Sequence, residues 1–292
     1  MIFKGTGVAL VTPFQKDGSV DESRLAQLVN DQAENGTDFL VVQGTTGEAA
    51  TLASEEKMRV LDVVIEANHG RLPIILGMGG NNTAQLAWEM ENFKNQHVDG
   101  FLSASPHYNK PSQRGIIEHF ETIARKSKRP LILYNVPGRT GSNMTAETTI
   151  HLSKLSNIVG VKEASGDFGQ VMEIINHVED DFAVLSGEDA LTMPMIAAGA
   201  HGVISVVTNA FPQQYAEMIN SAFQGDFQRA RAIHYHLLTL TNMMFEEGNP
   251  AGVKYCLELL DKADAYLRLP LVEISEELKS RIIKEMKMKK LV

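Results

Sequence analysis

The chain has 292 residues, 43% of them hydrophobic and 22% charged, which predicts a globular protein with one barrel-sized domain or two small ones. The formal net charge of −9 leaves no basic face for nucleic acid, so we expect small-molecule partners. The single cysteine, Cys256, excludes an internal disulfide and a cysteine-based metal cluster. With no apolar run long enough for a signal peptide or a membrane span, the sequence predicts a cytoplasmic protein that has no membrane contact.

Short aliphatic or β-branched runs alternate with segments of helical spacing along the chain. The eight runs lie at 7–11, 39–43, 73–77, 100–104, 131–135, 158–163, 182–187 and 202–207. Helices are predicted to begin near Asp21, Ser54, Thr83, Ser112, Thr145, Asp167, Asp189 and Pro212. Apolar strands that alternate with helices form covered parallel sheets, and eight such units match an α/β fold, the (β/α)8 TIM barrel. An open doubly wound sheet is the alternative.

The strand and helix alternation stops after residue 225. Three helical stretches follow at 226–247, 250–261 and 275–289, so we predict a barrel over 1–225 and a C-terminal helical appendage over 226–292. The last stretch contains "IIKEMKMKK", which could contact acidic partners, although a solvated face of an amphipathic helix is the favoured interpretation. Cys256, within the appendage, is expected to be a small buried apolar residue.

Polar residues follow several of the predicted strands. In a TIM barrel the functional site forms at the C-terminal ends of the strands, so these segments are the candidates for chemistry. They are "GTTGE" (44–48, the GTTGE loop), "SASPHYNKP" (103–111), "YNVPGRT" (134–140), "VKEAS" (161–165) and "SGEDA" (186–190).

Lys162 interrupts an otherwise apolar strand. Alternation places it on the same side as Gly160, which is expected to leave room beside it. In an apolar barrel the free amine is favoured, and it could form a Schiff base with a carbonyl substrate. The alternatives are an ion pair with Glu163 or Glu188, or an ammonium group that reaches solvent at the barrel rim.

Three further features lie on the same face of the predicted barrel. The backbone and hydroxyl groups of the GTTGE loop can converge on a carboxylate, although the loop could be a plain turn. Tyr134 could pass a proton beside an imine or be a core aromatic residue. Arg139 could bind a carboxylate or be a surface arginine.

Metal and cofactor motifs do not emerge from the sequence. The nine histidines are scattered, no "GxxxxGK[ST]" occurs, and "GMGGNN" lacks dinucleotide-binding spacing. We therefore expect no metal and no cofactor. A pyridoxal phosphate enzyme using Lys162 is the least favoured possibility, because no clear phosphate cradle follows strands seven and eight.

The motifs "GTTGE", "YNVPGRT" and "VKEAS", in this order, closely resemble the dihydrodipicolinate synthase family, and the likeness extends to "HGVISV" (201–206) and "NPAGVK" (249–254). This family belongs to the pyruvate-dependent Schiff-base lyases, with N-acetylneuraminate lyase and keto-deoxy sugar acid aldolases. Arg139 resembles the synthases, because the sugar-acid lyases usually lack it. The remaining alternatives are a pyruvate aldolase or lyase acting on a keto-deoxy sugar acid, and a non-catalytic effector-binding barrel.

The resemblance implies a reaction between pyruvate and L-aspartate 4-semialdehyde on the route through diaminopimelate to lysine. It implies that Lys162 forms the pyruvate imine and that Arg139 binds the carboxylate of the semialdehyde. Thr46 would bind the pyruvate carboxylate, and the backbones of Gly187 and Ile204 would line the pocket. No cofactor is implied, since the imine nitrogen is the electron sink.

The resemblance also implies a proton relay through Thr45, Tyr134 and Tyr108. In the family the counterpart of Tyr108 reaches into the active site of the neighbouring subunit. The functional unit is therefore expected to be at least a dimer, within a homotetramer.

Members of the family that lysine inhibits bind it in a cleft at the dimer interface. The matching positions in this sequence are Ala49, Ser54, Lys57, Asn81, Gln85 and His107. The counterparts of Gln85, His107 and Lys57 in sensitive enzymes are commonly glutamate, tyrosine and histidine. A lysine ammonium would meet an amide in place of a carboxylate, and an added positive charge, so feedback inhibition is expected to be weak or absent.

Overall fold

Eight parallel strands close into one barrel in the computed structural model, which describes residues 3–292. Each strand pairs with its neighbours in chain order, and β1 closes the barrel by pairing with β8. The TIM barrel prediction is confirmed, and the open-sheet alternative is wrong because a closed barrel has no free edge. The strands are β1 Gly5–Ala9, β2 Phe39–Val42, β3 Ile74–Gly77, β4 Gly100–Ala104, β5 Leu131–Asn135, β6 Ile158–Glu163, β7 Ala183–Ser186 and β8 Gly202–Ser205.

Helices follow the strands and form the outer layer. Several begin where a side chain of the predicted capping type accepts a backbone N–H, as Asp21 does from Arg24 and Ser112 from Gly115. Near Asp189 the predicted helix begins as a 3₁₀ turn, Asp189–Leu191. The helices are α1 Glu22–Glu34, α2 Ser54–Asn68, α3 Thr83–Asn92, α4 Gln113–Lys126, α5 Pro137–Thr140, α6 Ala146–Leu152, α7 Phe168–His177, α8 Thr192–Ala197, α9 Pro212–Phe223, α10 Phe227–Glu246, α11 Ala251–Leu259 and α12 Glu276–Met288.

The apolar core has two layers, one on each side of the sheet. Inward residues such as Ile132, Leu185 and Ile204 fill the barrel, and a larger cluster packs the sheet against the helices. Because strand residues alternate between these layers, a polar side chain within the barrel must come from an inward position. Tyr134 belongs to the inner cluster and lies near the C-terminal end of β5.

The three C-terminal helices pack beside the barrel. The helix α10 contacts α9, α11 and α12, and Cys256 is buried as expected. On α12, Ile282 and Met286 are buried while Lys284 and Lys287 are exposed, which is the pattern of an amphipathic helix. Among the helices of residues 3–292, none has the length and hydropathy needed to cross a membrane.

Candidate active site

Lys162 lies on β6 and its side chain points into the barrel near the C-terminal end of the strand. Its register partner on β5 is Tyr134, and the lysine Nζ lies 4.6 Å from the centroid of the tyrosine ring. Only 5% of Lys162 is exposed. The amine and the phenol are therefore neighbours because adjacent strands hold them at the same level.

The space beside Lys162 comes from Gly187 at the end of β7. A Cβ atom at Gly187 would lie 3.1 Å from Lys162 Cε and 2.6 Å from Ala164 Cβ. Gly160, which the sequence suggested for this purpose, instead lies against Ala183, whose carbonyl oxygen would be 2.6 Å from an added Cβ. The lysine thus has room toward β7, and the glycine two residues before it serves strand packing.

Glu163 lies on the opposite face of the sheet from Lys162. Its carboxylate accepts hydrogen bonds from Asn135 Nδ2 at 3.0 Å, Ser165 N at 2.7 Å and Gln170 Nε2 at 3.1 Å. Burial raises the pKa of Glu163, although the hydrogen bonds oppose this effect. Within residues 3–292, no ion pair includes Lys162, so the ion-pair alternatives with Glu163 and Glu188 are not seen.

A cavity of about 80 Å³ opens in front of Lys162. Six of the eight residues that the resemblance assigns to the site line this cavity, whereas Ile204 and Tyr108 do not. Ile204 is 1% exposed within the barrel, and Val206, two residues further on, lines the cavity. The lining residues are Ala9, Val41, Gly44, Thr45, Thr46, Leu102, Tyr134, Val136, Arg139, Lys162, Ala164, Gly187, Glu188, Val206, Phe245 and Asn249.

Charged side chains lie on two sides of this cavity. Arg139 reaches it from α5, and the half-buried Glu188 reaches it from the turn after β7. Burial and the charge of Asp189 raise the pKa of Glu188, while the positive charges of Lys162 and Arg139 oppose the rise. The cavity can therefore receive an anionic group beside Arg139 and a cationic or hydrogen-bond-donating group beside Glu188.

Sequence reasoning missed Phe245 and Asn249, which line the cavity from the end of α10 and the turn before α11. Asn249 Nδ2 donates to Thr46 Oγ1 at 3.0 Å, so the predicted appendage contacts the GTTGE loop. The motif "NPAGVK" (249–254) contains the signal, because it is part of the family resemblance, but the motif alone does not indicate a place in the site. Glu188 was considered only as an ion-pair partner.

Tyr108 lies outside the cavity and is 90% exposed, with a left-handed backbone conformation at φ 66°. Its amide donates to Thr140 O at 3.2 Å, next to Arg139. The Asn81 side chain holds the preceding residue by donating to His107 O at 2.6 Å and accepting from His107 N at 3.0 Å. The phenol is thus presented to the surroundings from a well-anchored backbone.

A buried amine facing a phenol at the C-terminal ends of the strands is the arrangement expected of a Schiff-base-forming (β/α)8 barrel enzyme. Residues 2–289 match the model of the Dihydrodipicolinate synthetase family, and the chain belongs to this family. A 4-hydroxy-tetrahydrodipicolinate synthase of Flavobacterium psychrophilum is 47% identical over 281 residues, with 96% of each chain covered.

Two solved structures share the fold over nearly the whole chain. The chloride-inhibited dihydrodipicolinate synthase of Acinetobacter baumannii in complex with pyruvate is 37% identical, with a TM-score of 0.96 and full coverage of both chains (100% each). A monomeric dihydrodipicolinate synthase variant is 36% identical, with the same TM-score of 0.96 and coverage of 100% of this chain and 98% of the variant.

Proposed function

We propose that the chain catalyses the 4-hydroxy-tetrahydrodipicolinate synthase reaction, in which pyruvate condenses with L-aspartate 4-semialdehyde on the route to diaminopimelate and lysine. The observation that carries the proposal is that Lys162 enters a small cavity beside Tyr134, with Arg139 at the same cavity. An amine can hold pyruvate as an imine, and a guanidinium can select a second substrate that has a carboxylate.

In the first half of the reaction, Lys162 Nζ attacks the keto carbon of pyruvate, and water leaves as the imine forms. Thr46 and the backbone N–H groups of its loop bind the pyruvate carboxylate. Loss of a methyl proton then gives an enamine, because the imine nitrogen takes up the electron pair. The burial of Thr46 at 2% exposure supports this role, since a buried hydroxyl next to the cavity is in place before substrate arrives.

In the second half, the enamine carbon attacks the aldehyde of L-aspartate 4-semialdehyde, whose carboxylate Arg139 binds. The amino group of this substrate then attacks the imine carbon, closes the ring and releases Lys162 as the free amine. Thr45, Tyr134 and Tyr108 transfer the protons. Support for the first two comes from their position on the same cavity as Lys162.

The test of this function is reduction of the protein with borohydride in the presence of pyruvate, followed by intact and peptide mass spectrometry. We expect a reduced pyruvyl adduct on Lys162. When L-aspartate 4-semialdehyde is added before borohydride, turnover should remove the imine and the adduct should decrease. Lys162→Ala is the control that must give no adduct.

The other outcomes point to the remaining alternatives. An adduct that persists with L-aspartate 4-semialdehyde would favour a lyase with another aldehyde partner, such as a keto-deoxy sugar acid aldolase. No adduct in the unmodified protein would favour a non-catalytic effector-binding barrel. The cytoplasmic location stays a prediction from the sequence.

We further propose that the active unit is at least a dimer, within a homotetramer, in which Tyr108 completes the site of a neighbouring subunit. The support is the exposure of Tyr108, its anchored backbone and its position outside the cavity of its own chain. A stable monomer in sedimentation with full activity would contradict this arrangement.

Feedback inhibition by L-lysine is predicted to be weak or absent. Gln85 offers an amide where a carboxylate would attract the ammonium group, and its Nε2 already donates to Glu89 Oε1 at 2.9 Å. Initial rates at increasing L-lysine should change little up to millimolar concentrations, about a thousandfold above the micromolar range of a tight inhibitor. Strong inhibition at micromolar lysine would contradict this prediction.

A further inference from the structure

The GTTGE loop is held from the barrel side by the segment that follows β1. Thr12 Oγ1 donates to Gly47 O at 2.7 Å, and a Cβ at Gly47 would lie 3.0 Å from Leu10 O. The loop ends at Glu48, a non-glycine residue with φ 51°. A left-handed conformation at such a residue persists where its surroundings impose it.

From the other side, the C-terminal appendage binds Glu48 through Lys254. Lys254 Nζ donates to Glu48 Oε1 at 2.5 Å, and both side chains are fully buried at 0% exposure. Lys254 also donates to Tyr266 O at 2.8 Å and lies 4.2 Å from the centroid of the Phe14 ring. Burial lowers the pKa of Lys254 to about 8, while the charge of Glu48 and its hydrogen bond oppose the shift.

A buried ion pair adds little net stability compared with well-packed apolar residues, because both charges lose their hydration. What the pair does provide is a fixed geometry. Separating the two partners would leave each charge buried without its counterion, so the loop keeps one position relative to α11. Arg268 N adds a bond to Glu48 Oε2 at 3.2 Å, and Asn249 binds Thr46 two residues earlier in the loop. The appendage therefore contacts the loop at both Thr46 and Glu48.

We propose that Lys254 is a positioning residue for substrate binding, which fixes the GTTGE loop through its buried ion pair with Glu48 so that Thr46 and the loop amides meet the pyruvate carboxylate. This inference rests on the proposed function of the loop. It makes residues 226–292 part of the active-site architecture, although neither Lys254 nor Glu48 touches the substrate.

The test is the double variant Glu48→Gln/Lys254→Met, which removes both buried charges and leaves neither unpaired. We expect the KM for pyruvate to rise about tenfold, since loss of a charge-assisted anchor removes on the order of one such bond. The kcat and the KM for L-aspartate 4-semialdehyde should stay within about twofold, because Arg139 is not attached to this loop. The pyruvate concentration that half-saturates the borohydride-trapped adduct should rise in parallel.

The matched control is Glu246→Gln/Arg281→Met, which removes an exposed ion pair, at 2.6 Å, between α10 and α12 of the same appendage. It should leave every kinetic constant unchanged. An unchanged KM for pyruvate in the first double variant would overturn the proposal, whatever happens to the melting temperature. If that variant does not fold, Glu48→Asp, which keeps both charges and shortens the anchor, carries the same criteria. Absence of any adduct in the unmodified protein would instead reject the proposed function.

Discussion

At the scale of single residues, the proposed choice of a synthase over a sugar-acid lyase rests on Arg139. It reaches the cavity from α5, directly beyond the strand that carries Tyr134. Arg139→Ala should lower kcat/KM for L-aspartate 4-semialdehyde about a hundredfold, because a charge-assisted bond to a carboxylate is lost. The measurement is steady-state kinetics with each substrate varied in turn.

The same variant should leave the pyruvyl adduct on Lys162 intact. Arg125→Ala, which removes an exposed arginine from the last turn of α4, is the control and should change neither quantity. Unaltered kinetics with L-aspartate 4-semialdehyde in Arg139→Ala would remove the proposed reason for preferring a synthase over a sugar-acid lyase.

Gly187 allows a second test at the residue scale. A methyl group there would approach Lys162 Cε to 3.1 Å and Ala164 Cβ to 2.6 Å, so either the lysine or its neighbour must move. Gly187→Ala should therefore reduce the rate of imine formation with pyruvate at least about tenfold, measured by quenching with borohydride at increasing times. Gly80→Ala adds a methyl group in open space, with no neighbouring heavy atom within 4 Å, and should behave like the unmodified protein.

At the scale of secondary-structure elements, His119 joins α4 to α3. Its Nδ1 lies 2.8 Å from Thr83 Oγ1, the ring is 4% exposed, and burial lowers its pKa to about 4. The ring is therefore neutral in the native protein, while in the unfolded chain it takes up a proton below its ordinary pKa of 6.5. The unfolded state binds more protons between these values, so stability falls as the pH decreases from about 6.5 to about 4.

For His119 alone, the free energy of unfolding should decrease by about 2 kcal/mol from pH 7 to pH 5. His119→Asn should lose this dependence while keeping a polar group near Thr83. The measurement is urea unfolding of both proteins at the two pH values and equal protein concentration. Buried carboxyl groups such as Glu163 titrate in both proteins, so the difference between them isolates His119. Parallel pH curves would contradict the assignment.

The strands could be predicted from sequence because a covered parallel strand is apolar on both faces. The observed β4, β5 and β6 coincide with the predicted runs, whereas β1 is Gly5–Ala9 instead of 7–11. At its start, the Gly5 amide donates to His201 O, a contact between the first strand and the residue before the last strand that no local pattern contains. Local periodicity predicts the elements, and their ends depend on partners that are distant in sequence.

At the scale of the whole molecule, local sequence likewise predicts one part of the candidate site and not the other. Lys162 and Arg139 could be found because a charged residue in or directly after an apolar strand has an unusual position. The contacts of the GTTGE loop with the appendage could not, since Thr46 and Asn249 are 203 residues apart and Glu48 and Lys254 are 206 apart. The division at residue 225 stays a prediction from the helical pattern. Because it separates residues 226–292 from the barrel, it gave no indication that they contact the GTTGE loop.

Assembly is the property of the whole molecule that the proposed relay depends on most directly. If Tyr108 acts in the site of a neighbouring subunit, Tyr108→Phe and Lys162→Ala impair different sites of the same dimer. Each variant alone should be strongly impaired. In a mixed dimer, the Lys162→Ala subunit supplies an intact Tyr108 to the intact Lys162 of its partner, so one complete site is restored.

Co-expression of the two variants with different affinity tags, followed by random pairing, should recover about a quarter of the unmodified activity, since half of the dimers are mixed and each has one complete site. Isolation of the doubly tagged species should raise this to about 30% in a homotetramer of randomly paired dimers, and to about half if the dimer is the largest assembly. The control is a co-expression of Tyr134→Phe with Lys162→Ala, which should recover nothing, because both residues line the cavity of a single chain. Equal lack of recovery with Tyr108→Phe would show that Tyr108 acts within its own subunit, and full activity of Tyr108→Phe alone would show that it takes no part in catalysis.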